Sequence, residues 1–112
     1  MLSEEIKNIL SRRLKLHPED YVGTQKCWDE ETAMLLRDMN QTINFIENEC
    51  DDNTFCWVGE IFEDVAEQAE LNQSEEFIAA IKKRAQKIID DKERRSVEID
   101  ISFAEDRLNE KL

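Results

Sequence analysis

The chain has 112 residues, which fits a single domain over 1–112, and 40% of them are hydrophobic. This apolar content excludes a disordered chain, and the scarcity of glycine (2) and proline (1) disfavours a β-sandwich or barrel, which needs frequent turns. The composition therefore predicts an all-α fold, a single small bundle of about five helices, with a net charge of −12.

The first predicted helix covers residues 3–16. Ser3 is its expected N-cap, basic residues fill its last turn, and Pro18 ends it. Its apolar stripe consists of Ile6, Ile9, Leu10 and Leu14. This spacing predicts that one side of the helix packs on the core.

A loop is predicted over residues 17–27. We expect Gly23 to form its tight point, and Tyr21 and Val22 to hold it against the core. His17, the single histidine, falls in this loop, and the sequence places no serine or cysteine beside it. A catalytic role for this histidine is therefore not indicated.

The second predicted helix covers residues 29–50, with Asp29 as its N-cap. Its apolar seam is Leu36, Met39, Ile43, Ile46 and Cys50, at alternating spacings of three and four residues. The turn that follows, residues 51–54, resembles the start of a calcium loop. An EF-hand requires glycine and glutamate at its sixth and twelfth positions, where this chain has Cys56 and Phe62, so this site is excluded.

The third predicted helix covers residues 54–70 and contains Gly59, a residue that weakens a helix interior by about 1 kcal/mol. Its apolar seam is Phe55, Val58, Phe62, Val65 and Ala69. Gly59 indicates the close approach of another helix beside Phe62, or else a bend or later start of this helix.

Two further helices are predicted after a short turn at residues 71–73. One covers 74–90 with Ser74 as its N-cap, and the other covers 96–112. In the last segment Val97, Ile99, Ile101 and Phe103 alternate like a strand, whereas Val97, Ile101, Ala104 and Leu108 keep helical spacing. We expect a helix there, because a lone strand would have no partner for its backbone.

The negative charge is concentrated in the middle of the chain. Residues 38–81 contain 12 acids and 0 bases, so the rest of the chain is balanced at 27 − 12 = 15 acids against 15 bases. This asymmetry disfavours nucleic acid as a partner and favours a basic protein. The chain also shows no signal peptide, and no apolar run approaches the ~20 residues of a membrane span. We therefore expect a cytoplasmic protein that does not bind a membrane.

The third helix carries the predicted binding surface. Glu60, Glu63, Asp64 and Glu67 share one face, where each pair of like charges costs about 0.2–0.5 kcal/mol. Such a ladder suits a basic ligand, and Trp57 beside it suits an interface anchor. The alternatives are an ordinary solvated face and a tryptophan at the edge of the core. The predicted partner-binding residues are Trp57, Glu60, Glu63, Asp64, Glu67, Asp51 and Asp52.

No catalytic, metal-binding or cofactor-binding residues are predicted. The three cysteines, Cys27, Cys50 and Cys56, form no CxxC pair, and they fit small buried apolar residues better than nucleophiles or ligands. No phosphate-binding glycine loop and no HExxH motif occurs in the chain. We therefore expect no enzymatic activity.

Two stretches combine helix-spaced apolar and acidic residues. They are residues 55–64 (Phe-Cys-Trp-Val-Gly-Glu-Ile-Phe-Glu-Asp) and 74–78 (Ser-Glu-Glu-Phe-Ile), with a closing group at Ile99-Asp100-Ile101, Ala104-Glu105 and Leu108. Over about the last two thirds of the chain, this pattern resembles immunity proteins of bacterial contact-dependent growth inhibition systems. The resemblance implies a small cytosolic protein that neutralises one cognate toxin domain, often a nuclease, without catalysis.

Two other classes of function remain open at this stage. The first is a helical regulatory or scaffold module that binds a partner helix. In addition, Ile99, Ile101 and Phe103 would suit the interface of a homodimer. The second class is an enzyme that uses a carboxylate pair, which has the least support because no nucleophile accompanies the acids.

Overall fold

Seven α-helical segments follow one another in the computed structural model, which describes residues 1–112. They are α1 (Leu2–Leu14), α2 (Tyr21–Arg37), α3 (Met39–Asn44), α4 (Asp52–Val58), α5 (Phe62–Gln68), α6 (Leu71–Ala85) and α7 (Asp91–Glu110). A π-helical turn, Phe45–Glu49, extends α3, and a 3-10 turn, Gly59–Ile61, joins α4 to α5. The chain contains no strand, and the prediction of a small all-α bundle is confirmed.

One core cluster of 24 buried residues draws on α1–α7. At its centre Phe62 of α5 contacts two other rings, Phe55 of α4 at 5.3 Å and Phe77 of α6 at 5.9 Å between centroids. All three rings are completely buried. The short helices α4 and α5 therefore supply the middle of the core, with α1 and α2 on one side and α7 on the other. None of the helices is long and apolar enough to cross a membrane.

The N-terminal region contains more helix than predicted. Met1, not Ser3, precedes the first turn of α1, and no side chain caps it. The predicted loop over 17–27 is confirmed only for 17–20, because Asp20 accepts a hydrogen bond from the Gly23 N–H at 2.8 Å and α2 starts at Tyr21. Gly23 is thus in the first turn of a helix rather than in a tight turn.

The side chains at this end of α2 also differ from the prediction. Tyr21 and Val22 are exposed instead of packing on the core. Asp29 is not an N-cap but a residue of the α2 interior, where it accepts a hydrogen bond from Gln25 at 2.9 Å. The α2 helix starts eight residues earlier than predicted, and its buried side consists of Cys27, Glu31, Thr32 and Leu35.

The predicted helix 29–50 is divided by a corner at Asp38. The backbone there is extended (φ −151°, ψ 100°), and the Asp38 side chain caps α3 by accepting from the Gln41 N–H. Thr42 donates from its hydroxyl to the Leu35 carbonyl at 2.6 Å, which satisfies a carbonyl group near the end of α2. The side-chain cap and this bond replace the helical hydrogen bonds that the corner interrupts.

The predicted helix 54–70 begins earlier and is interrupted at Gly59. Asp51 caps α4 through the Thr54 N–H at 2.7 Å, so the expected turn 51–54 is mostly helical. A Cβ atom at Gly59 would lie 2.5 Å from a carboxylate oxygen of Asp100 in α7. The close approach of another helix at this glycine is therefore confirmed, and the 3-10 turn marks the point of approach.

The last two helices also start earlier than predicted. Ser74 is buried inside α6, where its hydroxyl donates to the Ala66 carbonyl at 2.8 Å, so it is not an N-cap. The helical interpretation of 96–112 is confirmed, although α7 begins at Asp91 with Asp90 as its cap. At its C-terminal end Lys111 donates to the carbonyls of Ala66 and Ala69, which closes the end of α5.

Candidate functional site

Half of the predicted acidic ladder is neutralised by bases from other helices. Glu60 accepts a hydrogen bond from Arg13 of α1 at 2.9 Å, and Glu63 pairs with Arg107 of α7 at 2.7 Å. The expectation that the ladder is unpaired is wrong for these two carboxylates. The bases lie 47 and 44 residues away along the chain, so the charge of the surrounding sequence does not reveal them.

The other half of the ladder has no partner. Asp64 and Glu67 form no ion pair, and Asp29 of α2, which also forms none, lies near them. Burial raises the pKa of Asp64, the charges of Glu63, Glu67 and Asp29 raise it further, and Arg107 opposes them. We call Asp29, Asp64 and Glu67 the acidic patch. Asp29 was missed from the sequence because it was interpreted as a helix cap.

Two predicted site residues are engaged within the fold instead. Asp51 is the N-cap of α4, and its pKa is lowered by the hydrogen bonds from Thr54. Asp52 pairs with Arg84 of α6 at 2.7 Å. Both carboxylates lie at the N-terminal end of α4, whereas the acidic patch lies between α2 and α5. The structure therefore does not bring them into the patch.

Trp57 lies beside the Arg13–Glu60 pair. Its ring is partly buried against the core, and the Arg13 guanidinium lies 5.8 Å from the ring centroid. This contact combines stacking with the attraction between a cation and an aromatic ring. Trp57 is thus at the edge of the core and close to the ladder, and its role as an interface anchor stays a prediction.

A second group of charged residues lies behind the ladder. Glu31 of α2 is completely buried, and neither of its carboxylate oxygens has a hydrogen-bond partner. Burial raises the pKa of Glu31 to about 8, the charge of Glu60 raises it further, and Arg13 opposes them. Burial and Glu60 also raise the pKa of Asp100 to about 6. We call Arg13, Glu31, Glu60 and Asp100 the Arg13 cluster.

Nothing in the sequence pattern indicates this cluster. A helix beginning at Asp29 would place Glu31 in its first turn, where an acid is normally solvated. Because α2 begins at Tyr21, Glu31 instead lies in the middle of the helix and on its buried side. Its burial depends on α1 and the 3-10 turn, whose packing on α2 the local sequence does not show.

The cysteine side chains lie outside the acidic patch and the Arg13 cluster. All three cysteines are free thiols, and burial raises the pKa of Cys50 to about 12 and also raises that of Cys56. These two thiols are therefore protonated at neutral pH and are weak nucleophiles. No group of three or more histidine, cysteine or acidic side chains is arranged to hold a metal ion.

Two properties distinguish the side of the molecule formed by α1, α2 and α5. The Arg13 cluster is internal and holds more carboxyl groups than cations. The acidic patch is at the surface, and its three acids outnumber the one cation near it, Arg107, which is itself paired with Glu63, so such a surface attracts cations from outside the chain. A scan against protein-family models, a search of curated proteins and a search of solved structures found no match to this chain.

Proposed function

We propose that the chain is a bacterial immunity protein that acts in the cytoplasm by binding and neutralising a basic toxin domain of the nuclease class. The observation that carries the proposal is the acidic patch, in which Asp29, Asp64 and Glu67 lie together and none of them forms an ion pair. The surrounding segment, residues 38–81, has 12 acids and 0 bases. The resemblance of residues 55–64 and 74–78 to immunity proteins supports the same function.

The physical basis of the proposal is charge complementarity. A nuclease binds a polyanion, so its substrate cleft is basic, and an acidic inhibitor reaches such a cleft faster because long-range attraction steers the encounter. Cations of the toxin would also relieve the repulsion among Asp64 and its acidic neighbours. Trp57, Glu60 and Glu63 border the patch in this proposal, and no nucleic acid, membrane or cofactor takes part.

Charge reversal in the patch tests this function. The toxin domain encoded directly before this chain is purified, and its association rate is measured at low and at moderate salt. We expect the double variant Asp64→Lys, Glu67→Lys to associate about 10–100-fold more slowly at low salt, with a weaker salt dependence. Asp64 is preferred to Glu63 for this test, because reversal of Glu63 would also break its pair with Arg107.

A control with the same change in net charge separates steering by the patch from a general charge effect. Glu75 and Glu76 at the start of α6 are exposed and form no ion pair, so Glu75→Lys, Glu76→Lys provides that control. We expect it to slow association much less than the patch variant. Equal slowing by both variants, or an unchanged rate for the patch variant at low salt, would remove the patch from the interface.

A second candidate function is a regulatory or scaffold module that binds a partner helix, or a homodimer built on the same surface. Ile99 and Phe103 favour it, because they lie one turn apart on α7 and are 57% and 50% exposed. Sedimentation of the chain alone tests whether this surface forms a homodimer. A dimer that Phe103→Ser dissociates would support the second candidate, and a monomer at high concentration would exclude the homodimer.

A further inference from the structure

The unpartnered polar groups of the interior are concentrated at one junction, where α1, α2 and the 3-10 turn meet. Six buried side-chain atoms there have no hydrogen-bond partner, and they are the only ones in the chain. They are Arg13 Nε, Trp28 Nε1, both oxygens of Glu31, Thr32 Oγ1 and Glu60 Oε1. Since buried polar groups are nearly always paired in proteins, such a concentration points to a role other than stability.

Two carboxyl groups at this junction face one cation. Arg13 donates through Nη2 to Glu60 at 2.9 Å, and its buried Nε has no partner. Glu31 is completely buried and receives no hydrogen bond from Arg13 or from any other group. An unpaired ionised carboxylate is strongly unfavourable in such a place, so Glu31 holds its proton at neutral pH.

The charged groups on the surrounding elements give Glu31 no second cation. Arg13 faces it from α1 and Glu60 faces it from the 3-10 turn, with Asp100 of α7 beyond Glu60. On α5 the ionisable side chain that lies close to α2 is Asp64, which is near Asp29. The α3 helix contains no ionisable side chain. An ionised Glu31 can therefore be neutralised only by Arg13.

We propose that Glu31, Arg13 and Glu60 form a proton-controlled latch between α1, α2 and the 3-10 turn. When Glu31 is protonated, Arg13 is bound to Glu60 and holds the end of α1 against the turn. When Glu31 releases its proton to solvent, its carboxylate draws Arg13 away from Glu60, and the packing of α1 and α2 on the turn loosens. The latch concerns the isolated chain and does not depend on the proposed function.

Tryptophan fluorescence of the whole chain tests the latch, because both tryptophans lie beside it. Trp57 is under the Arg13 guanidinium, and the Trp28 N–H belongs to the unpartnered group. Between pH 6 and 9.5 we expect a reversible change in the folded protein with a midpoint near 8. Glu31→Gln should abolish it. Glu30→Gln, which removes an adjacent exposed acid paired with Arg12, should leave it intact.

The pH dependence of the free energy of unfolding provides a second measurement, and its direction follows from the pKa of Glu31. The pKa of Glu31 is raised to about 8 in the folded state. The protonated carboxyl group therefore stabilises the folded state fully below the ordinary pKa of 4.5, and this stabilisation is lost as the pH rises through 8. Between about pH 4.5 and 8 the folding equilibrium constant of the wild type should fall about tenfold per pH unit relative to Glu31→Gln, and above pH 8 the two curves should run parallel. Parallel curves for the two proteins between pH 4.5 and 8 would overturn the proposal.

Two other outcomes would also overturn the latch. One is a wild-type tryptophan fluorescence that does not change between about pH 6 and 9.5. The other is a fluorescence change with a midpoint near 8 that persists in Glu31→Gln. Should that variant fail to fold, the carboxyl carbon of Glu31 can be titrated by NMR in the wild-type protein. A midpoint near 8 would support the latch, and a midpoint near the ordinary 4.5 would refute it.

Discussion

Replacement of Arg84 by methionine is expected to lower the free energy of unfolding by about 2–4 kcal/mol. The Arg84 side chain is only 8% exposed, and its guanidinium donates to the Cys50 carbonyl at 2.8 Å. It also pairs with Asp52 at 2.7 Å and lies 5.3 Å from the ring of Phe55. Methionine keeps much of the side-chain volume but leaves the buried carbonyl and the carboxylate without a donor. Urea unfolding followed by circular dichroism measures this loss.

The neighbouring residue of α6 provides a matched control. Lys83 has a side chain that is 65% exposed, and its nitrogen lies 3.9 Å from the Glu47 carboxylate. Lys83→Met removes the same charge from the same helix and should change the free energy of unfolding by less than about 0.5 kcal/mol. If the two variants lost equal stability, net charge would explain the effect, and the contacts of Arg84 would not.

Replacement of Phe62 by alanine is expected to produce a still larger loss, about 3–5 kcal/mol. The ring is completely buried between Phe55 and Phe77, so its removal leaves a cavity with aromatic walls. The contacts among the three rings join α4, α5 and α6, and relaxation of any one of these helices would disturb the other two. The unfolding midpoint in urea should fall without a change in the slope of the transition.

Phe103 is the control for this second variant, because it is also a phenylalanine in a helix but is 50% exposed. Phe103→Ala should cost less than about 1 kcal/mol, since much of the ring already contacts water and no closed cavity is formed. A small loss for Phe62→Ala would mean that the core collapses around the missing ring. The row of three rings would then not be the centre of the fold.

Apolar periodicity predicted the helical class well, because every helix of this bundle buries one side. It failed at the corner formed by Asp38, since the spacing from Leu36 to Met39 and Ile43 continues as if one helix were present. Caps were ambiguous for a different reason. Asp20 and Asp29 are equally good capping residues, and only the path of the chain decides between them.

The candidate site was predictable only where it depends on local sequence. The shared face of Asp64 and Glu67 follows from helical spacing, and the structure places both on α5. The pairing of Glu60 with Arg13, and of Glu63 with Arg107, depends on how distant helices pack. The burial of Glu31 has the same origin, because its sequence neighbours give no sign that α1 and the 3-10 turn cover it.

The approach of Asp100 to Gly59 links two positions that are far apart in the chain. A side chain at position 59 would displace the Asp100 carboxylate, which lies 2.5 Å from the place a Cβ would occupy. A residue larger than glycine at position 59 is therefore accommodated most readily by a smaller residue at position 100. Among homologous sequences we expect these two positions to vary together, with a residue larger than glycine at 59 found only where a smaller one replaces aspartate at 100.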